Sequence, residues 1–328
     1  MNAVCIHRRA AFALAALLAA AVLPASAGPA EDWPSRPVKV IVSLPPGSGA
    51  DTIARYVATQ LQQKYKQPFV VENKTGANSF IAAQFVAKAP ADGYTLFWAS
   101  NSPITTNLVA FRQLPYDPVA DFTPIALGAR FPMAFVVPAG SPLRTMADLT
   151  AHLKKNGAKA NYASGTATYR LAIEQYQLQV GGHATHVPYK GTAAAVMGLA
   201  GGDVDYSLAE VSAVTPLIKG GKLRALAVTG KGRQKDLPDV PTMAEAGVPG
   251  YEFYAWVGGY FPARVDPAIV QKAAAAVQEV LRAREGHDYV LGLGGIPAVA
   301  GPQELREFQE KELTQLRAIA HKVKMEQE

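Results

Sequence analysis

His186–Asp205, HVPYKGTAAAVMGLAGGDVD, decides the reading of this chain. A short strand runs into the loop Pro188-Tyr189-Lys190-Gly191. A helix opens at Thr192 and carries Ala193, Val196, Met197 and Leu199. Gly201-Gly202 stops it, and Val204-Asp205-Tyr206 leads into the next strand. The first turn of a helix has backbone N–H groups without internal partners, and the helix dipole adds partial positive charge there. A small anion can be held at such a junction without a counter-charge.

Two further junctions share this construction. Val38–Val42 reads as a strand, Pro45-Pro46-Gly47-Ser48-Gly49 as a loop, and 51–65 as a helix with Ile53, Val57, Leu61 and Tyr65 on one face. Tyr162-Ala163 ends a strand, Ser164–Thr168 is a loop, and a helix follows over 170–179. Ser100-Asn101-Ser102, after a strand over 94–98, adds a fourth loop. All are rich in Gly, Ser, Thr and Pro, and only Lys190 brings a positive charge. Gly lets backbone approach a ligand closely, and hydroxyls supply donors. The set suits one or two carboxylates held by neutral groups.

The rest of the chain predicts an α/β fold. Strands over 69–71, 133–137, 183–188, 223–228 and 252–261 alternate with helices, which implies βαβ units, a parallel sheet and ligand sites beyond the carboxyl ends of the strands. Thr145-Met146-Ala147-Asp148 resembles a capping box with Asp in place of Glu. Two or three helices follow Pro267, the last over 302–323 with Leu305, Phe308, Leu316, Ile319 and Val323 on one face. The block 128–228 reads as an α/β lobe inserted in another. Residues 28–127 and 229–328 then form the first lobe together, two chain crossings make a hinge, and the cleft is the natural ligand site.

The amino terminus predicts export. Arg8-Arg9 precede an apolar run over 10–23, and Ala25-Ser26-Ala27 is an A-x-A cleavage site, so 1–27 reads as a secretory signal peptide. The run is short of the roughly 20 residues a bilayer span needs. Phe12 stands one place too far along for the usual twin-arginine pattern, which favours the general route. Cys5 is the single cysteine and lies in this segment, so the mature chain is expected to have neither disulfides nor thiolate chemistry. Of the formal charge of +6, Arg8 and Arg9 account for two, leaving a modest excess with no dense basic run and no nucleic-acid footprint.

Other chemistries fit poorly. Gly47-Ser48-Gly49 begins like G-x-G-x-x-G, but Thr52 stands at the third glycine, and Glu72 closes the next strand rather than meeting a ribose. Asp51 is expected to cap its helix or enter its first turn, and its functional reading is that it fixes the loop or meets a ligand amine. His183 and His186, three apart on a strand, face opposite sides and cannot share a metal. Asp203 and Asp205 lack a third ligand. No G-x-S-x-G elbow or triad spacing is present. Trp256 reads as a core aromatic ahead of a cleft residue. No cofactor, metal or catalytic group is expected.

Together, Val42–Arg55 (VSLPPGSGADTIAR), Tyr162–Thr166, His186–Asp205, Ile218–Thr229 (IKGGKLRALAVT), Leu237–Gly247 (LPDVPTMAEAG) and Trp256–Ala263 resemble the Bug family, periplasmic solute-binding proteins associated with tripartite tricarboxylate transporters. The resemblance spans nearly all of the mature chain. It implies a two-lobed type II periplasmic binding protein, or Venus flytrap. It places ligand contacts at Ser43, Leu44, Pro46, Gly47, Ser48, Gly49, Asp51, Ser100 and Asn101 in the first lobe. In the second it places them at Ser164, Gly165, Thr166, Thr168, Lys190, Gly191, Thr192 and Glu210. Leu44 replaces a frequent aromatic, Ala50 a frequent hydroxyl residue, and Glu210 lies near a frequent Asp; Pro262–Asp266 also departs from the usual pattern. The implied ligand is a small organic acid, the implied partners are membrane permease subunits, and the implied location is the periplasm. A monomer is expected. Docking on a sensor kinase is the alternative, and a secreted enzyme is the third reading.

Overall fold

The computed structural model describes residues 32–325 and 327; the expected signal peptide lies outside them. Strand β1 (Val38–Val42) pairs in parallel with β2 (Phe69–Asn73) and β3 (Thr95–Ser100). Both faces of such a sheet must be covered, and β3 is buried along its whole length. Helix α1 (Gly49–Tyr65) makes the crossover and buries Ile53, Val57 and Leu61 at four-residue spacing. Ser48 caps it by accepting from the Asp51 N–H, so the cap is Ser48 and Asp51 sits in the first turn. Helix α2 (Phe80–Ala87) follows β2, and a π-helical turn over 102–106 with the one-turn α3 (Asn107–Ala110) follows β3.

Strand β4 (Phe122–Pro138) departs from expectation. It is 17 residues long, where the sequence pattern marks only the half over 133–137. Pro124, Gly128, Arg130 and Pro132 obscure its first half, and Pro124 falls at a register shift, where the ladder loses no donor. From Phe122 to Pro132 it pairs antiparallel with β9 (Tyr254–Pro262), which is itself antiparallel to β3. From Met133 onward it pairs with β7 (Tyr206–Glu210) and β8 (Leu223–Val228). Strand β5 (Asn161–Ser164) lies parallel between β6 (Thr185–Pro188) and β7. A further strand, β10 (Ile296–Ala300), absent from the sequence reading, adds to β4. The sheets are therefore mixed: parallel through the βαβ units, antiparallel wherever β4 and β9 enter.

The chain thus builds two α/β lobes, and β4 runs through both. Helices α4 (Met146–Asn156), α5 (Ala167–Val180), α6 (Thr192–Gly201) and α7 (Val211–Lys219) belong to the second. The capping box at Thr145 and Asp148 forms with both reciprocal bonds. Helices α8 (Pro267–Arg282) and α9 (Arg284–Gly292) precede α10 (Pro302–Lys322). Helix α10 spans the lobes: Leu305 enters the first-lobe core, and Leu316 enters the second.

The two chain crossings meet at one hydroxyl. Thr229, fully buried, follows β8 and begins the return to β9. Its Oγ1 accepts from the Met133 N–H at 3.0 Å and donates to the Phe253 carbonyl at 2.6 Å. Its own N–H donates to the Met133 carbonyl at 2.8 Å. Thr229→Val keeps the shape but orphans a buried donor and acceptor, so it should lower unfolding stability by about 1–3 kcal/mol in a denaturant titration.

Candidate functional site

Five loops converge on one cavity of about 530 Å3. Each follows the carboxyl end of a parallel strand: β1 and β3 in the first lobe, β5, β6 and β7 in the second. Leu44, Pro46, Gly47, Ser48, Gly49, Ser100 and Asn101 line it from the first lobe. Thr166, Thr168, Lys190, Gly191, Thr192 and Glu210 line it from the second.

Apart from Lys190, the donors that line the cavity are neutral. Ser100 Oγ and Asn101 Nδ2 are buried without a hydrogen-bond partner among the described residues. A buried donor left unpaired costs about 1–3 kcal/mol, so both are set to meet an acceptor. Helices α5 and α6 open at the cavity with N-caps Thr166 and Gly191, and neither has a side-chain cap. Their first-turn N–H groups and dipoles are therefore free for a ligand. Lys190 and Glu210 are the charged residues among those lining the cavity.

Four of the expected residues stand behind this wall. Asp51 is buried and holds the first-lobe loop instead. Its Oδ2 accepts from the Gly47 N–H at 2.9 Å, and its Oδ1 accepts from Asn73 Nδ2 at 2.8 Å and pairs with Arg55 at 3.0 Å. The same Asn73 amide donates to the Leu44 carbonyl. Burial alone would raise the Asp51 carboxyl, but the Arg55, Gly47 and Asn73 contacts outweigh it and hold it below the usual range. Ser43 lies buried at the end of β1. Ser164 Oγ is 2.7 Å from His186 Nε2, and burial, with Arg170 nearby, lowers that imidazole to about 4, so it is neutral at physiological pH. Gly165 brings two loops together: a Cβ there would lie 2.2 Å from the Gly191 carbonyl carbon. Gly191 itself has φ of 100°, in the region that favours glycine.

The lobes also touch directly. The Thr168 hydroxyl lies 3.1 Å from both Ser102 Oγ and Thr106 Oγ1, which joins α5 to the π-helical turn of the first lobe. Tyr169, next along, donates to Glu210 Oε1 at 3.2 Å. Burial raises the Glu210 carboxyl, and the Tyr169 bond offsets that only in part.

Several lining residues escape sequence reasoning. Tyr169 sits beside an expected position, whereas Ser102 belongs to the loop over 100–102 that the sequence marks. Val196 and Met197 were visible only as part of an apolar helix, although a 61 % exposed Met197 is a signal in retrospect. Ser212, Ala213 and Leu217 come from α7, which carried no motif. Trp256 is both core and wall. It is 1 % exposed and packs in the first-lobe core, yet it lines the cavity. Its Nε1 donates to Glu312 at 2.7 and 2.8 Å. Burial pushes the Glu312 carboxyl up to about 7, against the opposing bonds from Thr105 and Trp256.

Comparison with known proteins decides the family. Residues 53–325 match the model of the tripartite tricarboxylate transporter family receptor. The chain belongs to this family. The protein BugT of Bordetella pertussis is 33 % identical over 282 residues, covering 85 % of this chain and 86 % of that one. The structure of Rpa4515 from R. palustris with adipate is 34 % identical and superposes with a TM-score of 0.83, covering 89 % of this chain and 98 % of its own. Periplasmic binding protein BugD follows at 29 % and 0.79, covering 90 % and 100 %. MatC from Rhodopseudomonas palustris with bound malate stands at 28 % and 0.77, covering 88 % and 99 %. The two-lobed periplasmic binding fold that the resemblance implies is thus the fold of the solved relatives, and the family and its structural neighbours are receptors and binding proteins.

Two outcomes follow from this geometry. Gly165→Ala forces the loops at 165 and 191 apart and should cost about 1–3 kcal/mol of stability, read by calorimetry, together with ligand affinity. Glu312 gives a pH signature. Its folded value of about 7 exceeds that of an unfolded carboxyl, so the stability it contributes is full below about pH 4 and is lost as pH rises through about 7. Glu312→Gln lacks that titration. Relative to the parent, the variant should gain on the order of 1–3 kcal/mol between pH 5 and 8 in denaturant titrations.

Proposed function

We propose that this chain is a periplasmic, monomeric receptor that captures a small organic carboxylate between its lobes and hands it to the permease subunits of a tripartite tricarboxylate-type transporter. One observation carries this reading: the unpartnered donors of Ser100 and Asn101 share a cavity with two uncapped helix N-termini. Such a set recognises an anion, and a carboxylate offers acceptors on two oxygens. The adipate and malate complexes of the relatives support the choice of acid. Residues 1–27 supply the export signal in this reading, and the lobes, divided near 128 and 228, close about the crossings at Pro132–Met133 and Thr229–Phe253.

The first test is mass spectrometry of the solute released when freshly purified protein is denatured; a small carboxylic acid is expected. Added back at about 100 times Kd, it should stabilise the fold by roughly 2.7 kcal/mol, and X-ray scattering should show a smaller radius of gyration. A neutral or cationic solute would overturn the reading. The methyl ester should bind far worse, and affinity should change little between low and physiological salt, because short-range partial charges in a closed cleft are poorly screened. Calorimetry should show Thr166→Val losing about 1.5–3 kcal/mol of binding free energy, and Lys190→Met losing less.

A further inference from the structure

The cavity changes character along its length. Its donors cluster at strand ends and helix N-termini: Ser100, Asn101, Thr166 and the first turns of α5 and α6. Beyond them the wall is apolar. Val196 and Met197 sit a turn further along α6 than Thr192 and Ala193, which also line the cavity. Ala213 and Leu217 line it from α7, and Leu44 and Pro46 line it from the first lobe. Ser212 supplies the one hydroxyl that α7 brings to the lining. Most of the exposed lining is apolar.

The charges are equally uneven. Lys190 is exposed at the loop, whereas Glu210 stands at the end of β7, inside the wall and bonded to Tyr169. They have opposite sign when both are ionised, so Lys190 is the one cation that the lining offers a second carboxylate. A dicarboxylate reaching past the donor cluster would meet hydrocarbon, which cannot solvate it, and a carboxylate lying against Glu210 would be repelled by that group in its ionised form. Burial already disfavours the ionised form of Glu210, and a second anion alongside would add to that cost.

We infer that the ligand is a monocarboxylate with an apolar body, an aromatic or branched aliphatic acid, and that Glu210 together with the apolar faces of α6 and α7 selects it against di- and tricarboxylic acids. This rests on the carboxylate reading above and narrows it. It sets the chain apart from the relatives described with adipate and malate.

The test is calorimetry on the full chain, stripped of ligand by unfolding and refolding. One set of probes is benzoate, phenylacetate and 4-methylpentanoate; the other is malate, adipate and citrate. The best monocarboxylate should bind at least about tenfold tighter than the best of the second set, the factor expected from one unfavourable charge contact of a pKa unit. Glu210→Gln keeps an acceptor for the Tyr169 hydroxyl and removes the charge. It should shift the ratio of dicarboxylate to monocarboxylate affinity about tenfold toward the dicarboxylates. Met197→Gln, at an exposed position that folding does not depend on, should weaken the monocarboxylates several-fold. Tighter binding of malate, adipate or citrate than of every monocarboxylate overturns this inference and leaves the carboxylate reading standing, as does an unmoved ratio in Glu210→Gln. Failure of both sets, with binding of a neutral or cationic solute instead, overturns the two together.

Discussion

One strand serves two sheets, and the site depends on it. Strand β4 is held along its first half by β9 and along its second by β7 and β8. Because the partners change between Pro132 and Met133, neither sheet can be built without fixing the start of the other. The parallel strands on both sides then deliver their carboxyl ends to the same space. That is where α/β sheets present loops and helix N-termini to ligands. The change of partners at Pro132 and Met133 lies next to Thr229 and Phe253. Thr229 uses its N–H and its hydroxyl to close that junction.

The electrostatic economy of the site follows from what is kept out of it. Asp51 and Arg55 are charged and near the first-lobe loop, but they neutralise each other behind it. Their work is geometric: Asp51 fixes the Gly47 N–H, while Asn73 ties Leu44 to the same carboxylate. Preorganised neutral donors lose little on binding, because they are already oriented and desolvated. A lysine in their place would bring a stronger field but a mobile side chain. It would also accept any anion, whereas a rigid set of N–H and hydroxyl groups demands an acceptor of matching shape.

The sequence was most legible where local chemistry repeats. Thr145, Gly191 and Gly202 mark helix ends by capping and positive φ, and these boundaries follow from the residues alone, whereas the cap of α1 is Ser48 and its helix begins two residues before the 51 that the pattern marks. Most of the site residues were legible for the same reason, since a loop at a strand's carboxyl end is a short-range pattern. What was hidden is long-range. The first half of β4 carries two prolines and an arginine, and only its pairing with β9 makes it a strand. Asp51 could be read as ligand contact or loop clamp; the choice depends on Asn73, 22 residues away. The apolar wall of α6 and α7 looks like ordinary core periodicity until the opposing lobe shows that it faces a cavity. Trp256 is hidden for the converse reason, since one ring belongs to core and wall at once.

That ring ties the cavity to the helix bridging the lobes. Trp256 meets the ligand space on one edge and donates to Glu312 of α10 on the other. Glu312 Oε2 lies 2.6 Å from the Thr105 hydroxyl, which is also 3.1 Å from the Asn101 carbonyl. The Thr105 hydroxyl thus lies within reach of two acceptors, the Glu312 carboxylate and the Asn101 carbonyl. Burial pushes the Glu312 carboxyl up to about 7 against the bonds from Thr105 and Trp256. The chain of contacts runs from α10, through the Thr105 hydroxyl, to the loop whose Asn101 Nδ2 lacks a partner among the described residues. Helix α10 packs into both cores, with Glu312 between Leu305 and Leu316 along the helix. The donor loop and the bridging helix are therefore joined by hydrogen bonds that a shift of α10 would stretch.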